Sequence, residues 1–378
     1  MHQNDVLIIG GGIAGAGAAF QLAGRARVTL LEAEERCGYH STGRSAASYT
    51  ENYGTPTIRR LAIASRPFLA TPPPGFTETP IMLPRGMVTI ARADQLDALA
   101  EELARARDFA PSVVPLPVAE ALARVKILRP DYVAGAIIEP HSMEVDVAAL
   151  HQGFLRGARR QGALIVTEAR ARAVQRRDGV WQVETAAGSF AAPVLVNAAG
   201  AWADHVAAMA GVMPLGLQPR RRTAMLLPVP DGIDTRLWPM INDVGEAFYF
   251  KRDAGAVFLS PADATPSEPT DAQPDELDIA VAIDRFQQAT TMQVARVQRA
   301  WAGLRTFASD GAPVAGFDDT AEGFFWLAGQ GGYGIKTAPA LSALTAAAIL
   351  GCAFPEVLAA VGLQPQHLGP GRLRQKQP

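Results

Sequence analysis

The residues best placed to do chemistry open the chain. Gly10-Gly11-Gly12-Ile13-Ala14-Gly15 follows an apolar run, Val6-Leu7-Ile8-Ile9, and leads into an alanine-rich stretch from Ala16 to Leu22. A second apolar run, Val28-Thr29-Leu30-Leu31, ends in Glu32. Strand, glycine turn, helix, strand and acid in that order are the fingerprint of a dinucleotide site. Gly10 is expected to make the tight turn, Gly12 to let the backbone approach a pyrophosphate, and Gly15 to let the helix pack closely on the strand. Ile13 and Ala14 stand where a helix N-terminus offers unpaired N–H groups to phosphates. Glu32, at the tip of the second strand, would accept hydrogen bonds from an adenosine ribose.

After Glu32 the chain runs through small and hydroxyl residues, Gly38-Tyr39-His40-Ser41-Thr42-Gly43-Arg44-Ser45-Ala46-Ala47. Such a loop can press its backbone against a flat ring and a ribityl phosphate, which favours a flavin over a nicotinamide; a plain surface loop is the alternative. Near the other end, Gly329-Gln330-Gly331-Gly332-Tyr333-Gly334 precedes a helix expected from about Thr337 to Leu350. A helix N-terminus aimed at the pyrimidine edge of a flavin would stabilise negative charge there when the ring is reduced. Glycines suit that task because backbone N–H groups must come close with no Cβ in the way. A simple strand–turn–helix corner would use the same residues.

These segments need a scaffold, and 378 residues suggest two domains. Buried strands, alanine-rich helices and glycine turns mark 1–80, 140–215 and 320–378. Among them are a helix capped by Asp146, and strands Ala163–Val166, Val194–Asn197 and Phe324–Ala328. Residues 81–139 and 216–319 differ. They carry a strand Met87–Ala91, a helix Asp94–Asp108, and alternating strands Thr223–Leu227, Glu246–Lys251 and Ala256–Ser260, with surface loops at 228–235 and 261–276. The expected fold is α/β (α+β): a Rossmann-like FAD-binding domain in three pieces with an inserted antiparallel-sheet substrate domain in two. A net charge of -2 points away from a nucleic-acid partner. Two cysteines give neither a disulfide framework nor a zinc spacing, and a reducing cytoplasm is the expected location. No window offers the ~18 apolar residues of a membrane span. The six histidines form no pair with ligand spacing, so no metal is expected.

Two arginines stand out as substrate-facing candidates. Strand alternation sets Arg222 on the face opposite Arg221, and Arg305 follows a strand returning toward the glycine turn. An inward arginine needs an anionic partner, either a bound carboxylate or an internal Asp or Glu. Tyr249 alternates away from Phe248 and Phe250, and Tyr53 sits on a loop that reads as the tip of a mobile lid. Met240 and Ile335 read as ordinary core when taken alone.

The chain resembles the glycine oxidase and D-amino-acid oxidase superfamily of FAD enzymes. Within it, the chain is most similar to bacterial D-arginine and D-amino-acid dehydrogenases. The resemblance runs through the fingerprint, the His40–Ala47 loop, Asn197-Ala198-Ala199-Gly200-Ala201-Trp202, Trp301-Ala302-Gly303-Leu304-Arg305, Asp310-Gly311-Ala312-Pro313 and Gly329–Ile335. It implies a non-covalent FAD, since Gly329–Gly334 lacks the cysteine that tethers flavin in sarcosine oxidases. It brings Ser41, Thr42, Arg44, Ser45, Ala46, Ala47, Ala199, Gly200, Trp202, Gly303, Gly331, Gly332, Tyr333, Gly334, Ile335 and Lys336 to the cofactor. It implies that Arg222 and Arg305 bind a substrate carboxylate and that Tyr53 and Tyr249 line the pocket. The Gly332 carbonyl would take a hydrogen bond from the amine, and Met240 and Ile335 would be apolar walls. The implied reaction is oxidative deamination of a D-amino acid, with electrons passed to an acceptor of unknown identity. An oxidase, a dehydrogenase for N-methyl or cyclic amino acids or 2-hydroxy acids, and a non-catalytic flavoprotein subunit remain alternatives. The likeness departs at Leu83-Pro84-Arg85-Gly86-Met87, which lacks the glutamate that holds a guanidinium in D-arginine-preferring relatives. Ser48 and Asn242 replace a histidine and a valine. Arg85 would repel a cationic side chain, and Glu51 on the lid could restore the missing charge.

Overall fold

The computed structural model describes residues 2–374. Its first large sheet has six strands in the order Leu164–Val166, Val28–Leu31, Val6–Ile9, Val194–Asn197, Phe324–Ala328, Val314–Phe317. The first five run parallel and the last antiparallel. Parallel strands covered on both faces read as unbroken apolar runs, and these do; every residue of Val6–Ile9, Val28–Leu31 and Phe324–Ala328 is buried. Helices Ile13–Leu22, Val147–Arg160 and Gly334–Ile349 belong with this sheet. The first starts at Ile13 rather than Ala16, because Gly12 already stands at its N-cap. Asp146 caps the second as expected, its carboxylate accepting the Ala149 N–H at 2.8 Å.

The second large sheet has nine strands, in the order Thr265–Pro266, Gln218–Pro228, Ala256–Ser260, Tyr249–Asp253, Met240–Asp243, Met87–Ala91, Gly135–Glu139, Val114–Pro115, with Arg299–Phe307 paired to Gln218–Pro228. The expectation of an antiparallel sheet needs one correction, since Met240–Asp243 pairs with Met87–Ala91 in parallel. These strands come from separate stretches of chain, so no hairpin forces them antiparallel. The strand expected at Glu246–Lys251 begins instead at Tyr249. Asp243 accepts the N–H groups of Gly245 and Ala247 and holds the preceding residues in a turn.

Two smaller sheets complete the fold, one of them built on a meander of Ala173–Arg177, Val180–Thr185 and Gly188–Ala192. That meander was not anticipated, although Asp178-Gly179, both at positive φ, is the expected hairpin-turn pair. Among the described residues no helix is long and apolar enough to cross a membrane.

The tightest packing is at Gly15, where a Cβ would lie 1.9 Å from the Gly10 carbonyl oxygen. Neither partner can yield, because both are backbone. Gly15→Ala should therefore destabilise the protein by at least the ~1–3 kcal/mol typical of overpacking. Asp146→Ala should cost only about 1 kcal/mol, the loss of one cap. Urea midpoints of the two variants, measured side by side, check this ordering.

Candidate active site

One cavity is lined by residues from both large sheets. Four parallel strands deliver their carboxyl ends to it: Val6–Ile9 brings Gly10, Val28–Leu31 brings Glu32, Val194–Asn197 brings Ala198–Gly200, and Phe324–Ala328 brings Gly329. Ligands of open α/β sheets bind in such a crevice.

At the Glu32 end the turn is fixed before any ligand arrives. Gly10 has φ +109°, and a Cβ there would meet the Ala198 carbonyl oxygen at 2.4 Å. Glu32 Oε2 accepts the Gly11 N–H at 2.8 Å and Oε1 accepts the Glu34 N–H at 2.9 Å. Each oxygen keeps further acceptor capacity toward the cavity. The buried His151 ring shares a 2.9 Å hydrogen bond with the Gly11 carbonyl. Gly12, Ile13 and Ala14 line the cavity, and the helix they open has no acid in its first turn. Thr42 Oγ1 takes the Ile13 N–H at 3.0 Å, so one of the helix's free donors is already used. Gly15 lies outside the wall and serves the site through packing alone.

Next comes the loop after Glu32. Ser41, Thr42, Arg44, Ser45 and Ala46 line the cavity; Ala47, at φ +58°, does not, and its N–H is taken by Ser45 Oγ. Arg44 is committed elsewhere: its guanidinium donates to the carbonyls of Ala272 and Ala302 and pairs with Asp271 at 2.5 Å. Arg44 thus ties the loop to the second sheet rather than reaching for a phosphate. The segment 261–276, largely exposed as expected of a surface loop, supplies the other half of this joint through Asp271 and Ala272. Ala199, Gly200, Trp202 and Gly303 line the same stretch, and the His40 ring packs on Trp202 at 4.6 Å.

In the glycine turn, Gly331, Gly332, Gly334 and Ile335 line the cavity, and Gly329 and Gly331 hold positive φ. A Cβ on Gly332 would stand 2.9 Å from the Arg305 guanidinium and would push it aside. Tyr333 and Lys336 are absent from the wall. Tyr333 packs on Tyr53 at 5.3 Å, and the buried Lys336 turns away to donate to the carbonyls of Thr50 and Tyr53. Burial pushes the Lys336 ammonium down to about 7.

Arg222, Arg305 and Tyr249 meet at the remaining end. Arg305 donates to the Tyr249 hydroxyl at 3.3 Å; Tyr53 and Tyr333 lie within electrostatic range of it, but Tyr53, expected to line the pocket, is not in the cavity wall. Among the described residues Arg305 has no carboxylate partner. Arg222, its side chain 12 % exposed, donates from Nε to the Asp263 carbonyl at 2.5 Å. The Asp263 carboxylate lies 4.0 Å from that Nε, yet it is held by the Thr223 N–H and hydroxyl at 2.7 and 3.2 Å. Burial raises the Tyr249 phenol, but the Arg305 and Arg222 guanidinium groups outweigh it and hold the hydroxyl below the usual range. Tyr249 stacks on Phe258 at 5.9 Å, while Phe248 and Phe250 turn into the core, as alternation predicts. Met240 belongs to the buried cluster behind Tyr249 and is not itself in the wall.

Three expectations about the pocket's rim need correcting. Glu51 is bound by the Tyr49 hydroxyl and by Arg66 at 2.9 Å, so it cannot supply a free charge over the cavity. Arg85 is not a bare cation but pairs with Glu144, which also accepts Lys251 at 2.8 Å. The Tyr53 segment, expected as a mobile lid, is anchored. Glu139 accepts the Thr50 hydroxyl at 2.6 Å and the Glu51 N–H at 3.1 Å, and Arg59 holds Gly54 and Asn52. Asp263, Asp271 and Glu139 went unmarked in the sequence. Only Glu139 carried a signal, as an acid closing an apolar strand in the manner of Glu32.

The wall fits a flavin dinucleotide: ribose acceptors at Glu32, a free helix N-terminus, glycine surfaces where a Cβ would intrude, and cations at the far end. Neither Cys37 nor Cys352 lines the cavity, so no cysteine offers a covalent tether. Residues 5–348 match the family model described as DAO, FAD dependent oxidoreductase. Glycine oxidase of Geobacillus kaustophilus is 26 % identical over 360 residues, covering 91 % of this chain and 92 % of that one. The structure of L-proline dehydrogenase from P. horikoshii superposes with a TM-score of 0.85 at 20 % identity, covering 100 % of this chain and 99 % of that one. That of L-alpha-glycerophosphate oxidase from Mycoplasma pneumoniae, with FAD bound, gives 0.83 at 18 % identity over 94 % and 96 % of the two chains. The chain belongs to the DAO family of FAD dependent oxidoreductases, and its cofactor is FAD.

Proposed function

We propose that this chain is a D-amino-acid dehydrogenase that converts its substrate to an imino acid, which water then hydrolyses to a 2-oxo acid and ammonia. In this reading 1–80, 140–215 and 320–378 hold the cofactor, and 81–139 and 216–319 hold the substrate. One observation carries it: Arg305 stands in the wall beside the Tyr249 hydroxyl and, among the described residues, has no carboxylate partner. A guanidinium in that setting is completed by a planar anion, and Arg222 beside Tyr249 supplies a second fork. The α-carboxylate of an amino acid fits the pair. FAD, when bound, supplies flavin N5 as acceptor of the hydride from Cα. The protein's part is orientation and electrostatics. The Arg222–Arg305 pair fixes the carboxylate, the Gly332 carbonyl accepts a hydrogen bond from the amine, and Tyr249 closes one side, while Tyr53 packs on Tyr333 outside the wall. Among the described residues no group of His, Cys, Asp and Glu could hold a metal, and this reaction asks for none: the lone pair of the neutral amine expels the α-hydrogen. Anaerobic mixing with paired D- and L-amino acids tests the reading. The flavin absorbance should bleach with D-isomers, and reduction by L-isomers alone would overturn the assignment.

The rim favours neutral side chains. Arg85 and Lys251 share the single carboxylate of Glu144, and Lys251, lowered by burial to about 8, lies 5.8 Å from the ring of Phe258, itself a wall residue. This positive charge behind the wall, only partly offset by Asp253, disfavours a guanidinium, and Glu51 does not compensate because it is bound to Arg66. D-methionine and D-phenylalanine should show higher kcat/KM than D-arginine; a D-arginine preference would refute this.

Removing either clamp residue should be costly. Arg222→Met or Arg305→Met should lower kcat/KM by about 2–5 kcal/mol, the range for truncating one partner of a buried charge pair, with bound FAD retained. Steady-state kinetics and flavin content check this together.

The rate constant for flavin reduction should rise with pH to a plateau as the substrate ammonium loses its proton, and deuteration at Cα should slow it. Stopped-flow reduction across pH with both isotopologues checks the pair. A fall at high pH would contradict the mechanism.

A further inference from the structure

Lys336 is buried in the first turn of the Gly334–Ile349 helix, yet its side chain takes no part in the cavity wall. Its Nζ donates to the carbonyls of Thr50 at 2.8 Å and Tyr53 at 2.7 Å, and lies 5.7 and 5.3 Å from the ring centroids of Tyr53 and Tyr333. Glu139 grips the same segment through the Thr50 hydroxyl and the Glu51 N–H. An ammonium is a costly way to satisfy two carbonyls in a dry interior. It does bind the segment carrying Tyr53 rigidly to the helix that begins at the glycine turn. Tyr53 packs on Tyr333 at 5.3 Å, and Tyr333 follows Gly332, against which Arg305 lies; both tyrosines are within electrostatic range of Arg305.

We propose that Lys336 is a positioning residue: by holding the Thr50 and Tyr53 carbonyls it fixes Tyr53 against Arg305 and so sets affinity for the substrate. This rests on the reading of Arg305 as substrate-binding, with Tyr53 supporting it from outside the wall. Lys336 acts at a distance from the reacting atoms, through the tyrosine it pins. Its loss should therefore weaken binding more than it slows the chemical step.

The test is a double-mutant cycle on the holoenzyme with Lys336→Met, which keeps the aliphatic stem and removes the donors, Tyr53→Ala, and both together. Anaerobic flavin reduction by D-methionine gives an apparent Kd and a limiting rate constant for each. Lys336→Met should retain FAD and raise the Kd at least fivefold with a smaller change in the limiting rate constant. The double variant should bind no worse than Tyr53→Ala. Lys336→Gln, which keeps an N–H donor, should fall between Lys336→Met and the parent, and it carries the same cycle if Lys336→Met does not fold. An unchanged Kd in Lys336→Met, or additive effects in the cycle, would overturn the proposal while leaving the substrate reading intact. An unchanged Kd in Tyr53→Ala would overturn both.

Discussion

A guanidinium without a carboxylate organises the substrate end of this molecule. Arg305 enters from the second sheet, donates to the Tyr249 hydroxyl, and packs against Gly332, which has no side chain in its way. A charge in that position is tolerable when solvated or paired and expensive otherwise. On the proposed reading, the partner is the carboxylate of the substrate. Around this group the other features fall into place. Tyr249 responds to the two arginines electrostatically, and Arg222 is held by the Asp263 backbone carbonyl, with the Asp263 carboxylate 4.0 Å away and itself bonded to Thr223.

The cavity exists because two unlike sheets are locked together along its length. Arg44 is the clearest joint, spanning from the loop after Glu32 to Ala272, Ala302 and Asp271. Ser41 adds a second at the Leu304 carbonyl. Each comes from the segment that lines the middle of the cavity, so the residues that enclose the cofactor also set the spacing of the sheet that carries Arg222, Tyr249 and Arg305. Geometry at the reacting end is thereby tied to the dinucleotide end.

Where side-chain pattern alone determines structure, the sequence was a sound guide. Val6–Ile9, Val28–Leu31, Ala256–Ser260 and Phe324–Ala328 are apolar runs with turn residues at their ends, and each forms the expected strand. The glycine fingerprint was legible because its chemistry is local in sequence. Partnerships between distant residues were not. Nothing near Asp263 announces Thr223, and nothing near Asp271 announces Arg44, because those pairs depend on how the sheets meet. The same limit explains Lys336 and Arg44: the family resemblance placed both beside the cofactor, and only the packing shows that their charged ends bond elsewhere. The parallel pairing of Met240–Asp243 with Met87–Ala91 was hidden for a related reason, since strand alternation reports burial and not direction.

The account stands on the carboxylate at Arg305 and Arg222. The most direct measurement compares anaerobic flavin reduction by D-methionine with reduction by D-methioninol, which keeps the amine, the α-hydrogen and the side chain but replaces the carboxylate with an alcohol. D-methionine should saturate and reduce the flavin rapidly, and D-methioninol should bind far more weakly and reduce it slowly. Equal affinity and rate for the two would show that the guanidinium pair serves some other end.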